Sequence, residues 1–221
     1  MKMVPDKTGR FPQRPHWEVS EIEHQCEEAI TAFLIKRYGF VRIAVPTEAL
    51  MELVDHLGAD LEFKDRLSDD KYDVFGYTDF SEKKPLVVIS RELIERRHRS
   101  NRLRMTLAHE CAHLLLHTWL YARYGAASCR QQVCYWRDIL ALEHIVDWLE
   151  WQGGYGGGAL LMPESFIRRM VGAFCRERRE EGPFKKNSAA GTTLIDRTAL
   201  TFEVSTEAGM VRLARLAYLT D

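Results

Sequence analysis

Apolar positions recur along this chain with two spacings, and the change from one to the other marks out its elements. From Trp17 to Tyr38 the spacing is helical, with Ile22, Cys26, Ala29, Ile30, Phe33 and Leu34 on one side, and Gly39 ends the run. Thr47 reads as the N-cap of a second helix, Glu48 to Leu57, stopped by Gly58. Phe40 to Val45 has the β-rich character of a short strand. Leu61 to Phe63 and Val74 to Tyr77 also read as strands, joined by the charged stretch from Lys64 to Asp73. Pro85 to Ile89 is the clearest strand, being short, apolar and β-branched. Ser90 caps a helical piece reaching about His98, and Asn101 opens a longer helix. The remainder reads as helical apart from Gly153 to Gly158 and the loop from Gly182 to Gly191. A small sheet followed by packed helices is an α+β pattern with a mostly helical second half.

Domain organisation follows from the same pattern. Residues 1–15 are polar, carry Pro5, Pro12 and Pro15, and read as a flexible tail. Residues 16–191 form the main domain. Residues 192–221 hold a pair of short helices, Thr198 to Phe202 and Thr206 to Leu219, that meet at Val204-Ser205. Arg212 and Arg215 fall on the last of these, as the reading helix of a DNA-binding pair would require. However, Met210, Val211, Leu213, Leu216 and Ala217 make that helix apolar, so the pair is expected to pack on the core.

Composition narrows the classes. With 221 residues, 46% hydrophobic, the chain can bury a substantial core. A net charge of −1 gives no global field for nucleic acid or an anionic membrane. The arginines from Arg91 to Arg104 and from Arg168 to Arg179 read as solvated helix faces. Five cysteines without CxxC spacing fit a reducing compartment. No stretch reaches the ~18 apolar residues that span a bilayer. A cytoplasmic protein is expected.

One segment carries chemistry. Leu107-Ala108-His109-Glu110-Cys111-Ala112-His113-Leu114-Leu115-Leu116-His117 contains HExxH within an apolar helical run. Residues four apart stack on one helix face, so His109 and His113 can offer their imidazoles to one metal ion. Glu110, one step around, is placed to take a proton from a metal-bound water. A hydrolytic site needs a third protein ligand and an open position. Glu143, Asp147 and Glu150 recur at i, i+4 and i+7, near one face of a half-buried helix, and each is a candidate. His117 shares the stripe of His109 and His113 but sits one turn beyond. A hydrogen bond to one of the ligands suits it better than coordination.

These motifs resemble the ImmA/IrrE family of metallo-endopeptidases. The family's arginine-rich lead into T-L-A-H-E-x-x-H-L-L-L-H is matched by Arg102 to His117. Its later acidic residue, followed by x-Q/E-A-N-x-F-A-x-x-L-L-M-P, is matched by Glu150 to Pro163. Weaker likenesses lie at Val45 to Gly58 and around Val204-Ser205 and Arg212-Leu213. The resemblance implies a zincin-like helical core and singles out Glu150 as the third ligand beside His109 and His113, with Zn²⁺ as cofactor and Glu110 as general base. It implies a protein substrate, a helix-turn-helix repressor, with no direct nucleic-acid or membrane partner; oligomeric state is not legible. His117, Tyr155 and Asp147 remain candidates for supporting the ligands or the transition state.

The chain departs from the family where Gly153-Gly154 and Gly156-Gly157-Gly158 replace Ala-Asn and Phe-Ala. Each glycine inside a helix costs about 0.5–1 kcal/mol relative to alanine. Two explanations stay open at this point. The glycines let the segment lie very close to the HExxH helix, or the helix breaks after Gln152 and leaves a flexible rim. Two rival functions also stand. One is a metal-binding regulator without turnover; the other is a sensor with a structural zinc site, which would need a fourth ligand.

Overall fold

The computed structural model describes residues 1–65, 67, 74–96, 99–124, 132–135 and 148–221, with only the backbone course given for 132–135. Its elements in chain order begin with β1 (Lys2–Pro5), β2 (Gln13–His16), α1 (Val19–Tyr38) and α2 (Thr47–His56). Next come β3 (Asp60–Lys64), β4 (Val74–Asp79), β5 (Leu86–Ser90), α3 (Glu92–Glu95) and α4 (Ser100–Tyr124). The second half holds β6 (Gln132–Tyr135), α5 (Trp148–Leu161), α6 (Glu164–Arg178), β7 (Phe184–Lys185), α7 (Ala189–Phe202), α8 (Thr206–Arg215) and β8 (Leu219–Thr220). This is an α+β fold.

Four strands form one sheet in the order β3-β5-β4-β6. β3 runs parallel to β5, while β4 is antiparallel to both β5 and β6. The charged stretch through residues 68–73 lies outside the described residues. The helix expected from Ser90 to about His98 is shorter: it stops at Glu95, Arg96 is extended, and Arg91 rather than Ser90 takes the cap position.

α4 is the axis of the molecule. Its residues Thr106 to Leu114 are all buried, and Leu107, Leu116 and Leu120 are completely so. A leucine taken fully out of water contributes about 1.5–3 kcal/mol, so this helix anchors the core. It lies on the sheet on one side and against α5 on another, with α2 also touching it and α1 covering α5. The approach to the sheet depends on Gly76 in β4. A Cβ there would come within 2.7 Å of the Thr106 methyl group.

Several sequence expectations are corrected by tertiary structure. Residues 1–16 do not trail as a tail: β1 and β2 pair antiparallel, from Lys2 opposite His16 to Pro5 opposite Gln13. Phe11 in their connection is buried at the edge of Tyr121, so one aromatic ring fastens the hairpin to the core. Phe40 to Val45 makes no strand; its Phe40 and Ile43 side chains are exposed. β6 is a strand where helix was expected, because the open edge of β4 accepts it. Thr47 is the first helical residue of α2, and Pro46 occupies the cap position. The final helix stops at Arg215, and Leu219-Thr220 pairs with Phe184-Lys185 inside the expected loop. α7 begins at Ala189, well before Thr198, with the Ser188 hydroxyl accepting from the Gly191 N–H as its cap.

Two buried arginines tie distant segments together. Arg104 of α4 donates to the carbonyls of Val45 (2.7 Å), Phe202 (3.1 Å) and Glu203 (2.5 Å), which satisfies the C-terminal end of α7. Arg212 of α8 is paired with Glu23 of α1 at 2.5 and 2.7 Å and also donates to the carbonyl of Met162.

Candidate metal centre

The helical stacking of α4 brings the Nε2 atoms of His109 and His113 to 2.8 Å from each other. Glu150, in the first turn of α5, lies across from them, with oxygens 3.3 Å from His109 Nε2 and 3.5 Å from His113 Nε2. The three ligand atoms lie within 4.8 Å of one another, and both imidazoles are buried. Ligand atoms at 2.0–2.1 Å from a tetrahedral ion sit about 3.3 Å apart. Separations of 2.8, 3.3 and 3.5 Å bracket that value, so the donor set fits one zinc-sized cation.

Close helix contact makes this geometry reachable. A Cβ on Gly153 would lie 2.5 Å from His113 Nε2, and one on Gly157 would lie 2.9 Å from the His109 backbone nitrogen. On Gly156 it would lie 2.8 Å from the Ala112 Cβ. The glycine run is therefore helical throughout, and of its two readings the close approach holds. Successive helical residues are turned by about 100°, which sets Glu150 and Gln152 on either side of Gly153. Glu150 reaches the His109–His113 pair and Gln152 reaches His117.

Electrostatics separate the two glutamates. Burial raises the cost of charge on Glu150, but the His113 and His109 imidazoles outweigh it and hold its carboxyl well below the usual range. It is a carboxylate at neutral pH, as a metal ligand must be. Burial pushes the Glu110 carboxyl up instead, against the opposing pull of His109, His113 and the Thr78 hydroxyl. The Thr78 hydroxyl donates to Glu110 Oε2 at 2.7 Å, while Oε1, also buried, has no partner. Gly76 and Thr78 share one face of β4, and Thr106 and Glu110 share one stripe of α4, so the contact that seats the helix on the sheet also aims Glu110. An orphaned carboxylate oxygen beside a His₂Glu cluster is where a bound water would donate.

His117 joins this group without entering the cluster. Its Nδ1 is 2.9 Å from His113 Nδ1 and its Nε2 is 2.9 Å from Gln152 Oε1. Burial pushes its pKa down to about 3, so its ring is neutral. Tyr155 is a correction: its hydroxyl donates to Glu23 at 2.5 Å within the Arg212 ion pair, and burial raises its pKa to about 12. That commitment removes it from any oxyanion role. Arg212 is equally committed, to Glu23 and the Met162 carbonyl. Asp147 and Glu143, both candidates from the acidic row, lie outside the described residues.

Thr78, Gln152 and Glu23 were not found by sequence reasoning. Strand alternation puts Thr78 on the same face as Gly76, and Gln152 fills the Q/E position of the family motif, both usable signals; nothing local marks Glu23.

A cavity of about 610 Å³ opens beside the cluster, with His109, Met105, Gly158, Met162, Val211 and Arg215 among its walls. No helix among the described residues is long and apolar enough to cross a membrane.

Comparison with known proteins bears on the same segment. The family model described as the IrrE N-terminal-like domain matches residues 66–214. No curated protein matches the chain. The matched span covers more than half of the 221 residues and contains His109, Glu110, His113 and Glu150, so the chain belongs to the IrrE N-terminal-like family of metallopeptidases.

Proposed function

We propose that this chain is a zinc-dependent endopeptidase that cuts a regulatory protein, with His109, His113 and Glu150 as metal ligands and Glu110 as general base. The observation that carries the reading is the buried, unpartnered Glu110 Oε1 next to three convergent ligand atoms. His109, His113 and Glu150 would hold the zinc ion, which would supply Lewis-acid polarisation of the scissile carbonyl and make water acidic at neutral pH. Glu110 would serve as the general base, its Oε1 open to accept a proton while Thr78 holds Oε2, and would return that proton to the leaving amine. The upward push on the Glu110 carboxyl suits this work, because a base that returns its proton must not be too weak. Two histidines and one carboxylate favour zinc among the divalent metals. The cavity beside His109 gives a substrate segment somewhere to lie. A helix-turn-helix repressor as substrate rests on the family resemblance, and a cytoplasmic site of action on the cysteine pattern.

Metal analysis of the purified protein, beside Glu110→Gln and Glu150→Ala, tests the ligand set. Each protein is then incubated with repressors encoded near its gene. The expected result is one zinc per wild-type chain, one in Glu110→Gln with cleavage at least 100-fold slower, and little in Glu150→Ala. Zinc retained by Glu150→Ala would remove Glu150 from the ligands. Equal cleavage by wild type and Glu110→Gln would remove the proposed base.

A further inference from the structure

Behind His113 runs a line of polar groups that leaves α4, crosses to α5 and ends on the amino-terminal hairpin. Pro15, in β2, has a carbonyl that can only accept; Arg14 Nη1 donates to it at 3.3 Å and Gln152 Nε2 at 3.2 Å. The Gln152 amide is thereby oriented, because its nitrogen must face Pro15 and its oxygen must face the other way. That oxygen lies 2.9 Å from His117 Nε2, so His117 carries its proton on Nε2. The remaining nitrogen, His117 Nδ1, is then a bare acceptor. It lies 2.9 Å from His113 Nδ1, and a pair of ring nitrogens at that distance shares one proton, which must belong to His113. His113 Nε2 is thereby the nitrogen turned towards Glu150 and His109, on the side where a metal ion would bind.

We propose that Gln152 and His117 are positioning residues that select the His113 tautomer, leaving Nε2 ready for the metal, with the Pro15 carbonyl setting the direction of the whole line. Every member is buried or nearly so: His113, His117 and Gln152 are each 1% exposed or less. Water therefore does not compete for these hydrogen bonds, and reversing any one member would leave two donors or two acceptors face to face. The chain thus makes the hairpin at residues 1–16 part of the ligand scaffold. The inference rests on the metal-ligand reading of His113 proposed above for its purpose, though not for its hydrogen-bond pattern.

Two measurements test it. Long-range ¹H–¹⁵N correlation of the unaltered, metal-free protein reads which ring nitrogen of each histidine is protonated. The expected pattern is a proton on Nε2 and none on Nδ1 of His117, with a proton on Nδ1 of His113; a proton on His117 Nδ1, or none on His113 Nδ1, overturns the proposal. This measurement needs no variant, so a substitution that fails to fold leaves it standing. Zinc affinity, by competition with a chromophoric chelator, supplies the second. His117→Leu and Gln152→Leu are expected to bind zinc about 10- to 100-fold more weakly. His117→Asn keeps an oxygen where Nδ1 stood and should recover most of the affinity. Equal affinities for the leucine and asparagine variants would overturn the positioning role. If wild type takes up no zinc, the metal reading fails, while the tautomer pattern still decides the hydrogen-bonded line.

Discussion

Glu110 holds one oxygen against Thr78 and leaves the other buried without a partner, and that asymmetry has a thermodynamic consequence. Its carboxyl titrates near 4.5 in the unfolded chain and higher in the folded one. Between those two values the folded state holds a proton that the unfolded state has released. Stability therefore falls as pH rises through that window, and above the folded pKa the full cost of the buried charge remains. Glutamine at this position carries no charge to bury. Metal-free Glu110→Gln is expected to be more stable than wild type at pH 8 by roughly 1–3 kcal/mol, seen as a higher unfolding temperature. The gain should shrink towards pH 4.5. A difference that stays the same from pH 4.5 to pH 8 would show that Glu110 is not the group responsible. At this scale the sequence was informative about identity but not about partners. His109, Glu110 and His113 were legible because all three sit within one helical turn. Thr78 was not, because its link to Glu110 crosses from a strand to a helix 32 residues on.

The glycines of α5 show how an element with poor helical propensity is held in place by its neighbour. Gly157 and Gly158 are adjacent and chemically identical, yet their surroundings differ. Beside Gly157 stands rigid backbone of α4, while beside Gly158 the nearest atom is the Arg212 Cδ at 4.0 Å. Gly157→Ala is expected to force the two helices apart and destabilise by about 1–3 kcal/mol. Gly158→Ala should stabilise by about 0.5–1 kcal/mol through helix propensity alone. Urea denaturation midpoints of the two variants check this; shifts in the same direction would refute the packing argument. Propensity alone argues against a helix across five glycines. Burial against α4 reverses that, since only a residue without a side chain lets backbone pass so near the imidazoles.

Across the whole molecule, the Glu23–Arg212 pair fastens α8 to α1 although 189 residues separate the two in sequence. Both partners are almost fully buried, and Tyr155 and the Met162 carbonyl complete the hydrogen bonding. Removing one member leaves an uncompensated charge in the core. Glu23→Gln and Arg212→Met are each expected to cost about 3–5 kcal/mol. Replacing both with apolar residues of similar size should cost less than the two single losses added together. Urea unfolding of the four proteins measures the coupling directly, and single variants within about 1 kcal/mol of wild type would refute a buried role. This pair also explains why Arg212 lies buried on the core-facing side of the second C-terminal helix. Arg212 reads from sequence as a candidate for DNA, and its burial assigns it to the core.

The amino-acid sequence by itself determined whatever lies within one element. The HExxH stripe, the amphipathic α1, the short apolar β5 and the α+β class follow from periodicities of 3.6 and 2, and these need no knowledge of neighbours. Tertiary structure decided everything that joins elements. It brought Glu150 of α5 to the two histidines of α4, kept the glycine run helical, set Thr78 behind Glu110, and folded residues 1–16 back so that Pro15 meets Gln152. The physical reason is range. Backbone hydrogen bonding and side-chain periodicity act over a few residues, whereas a ligand set or buried polar line exists only once packing has brought distant segments within 3 or 4 Å.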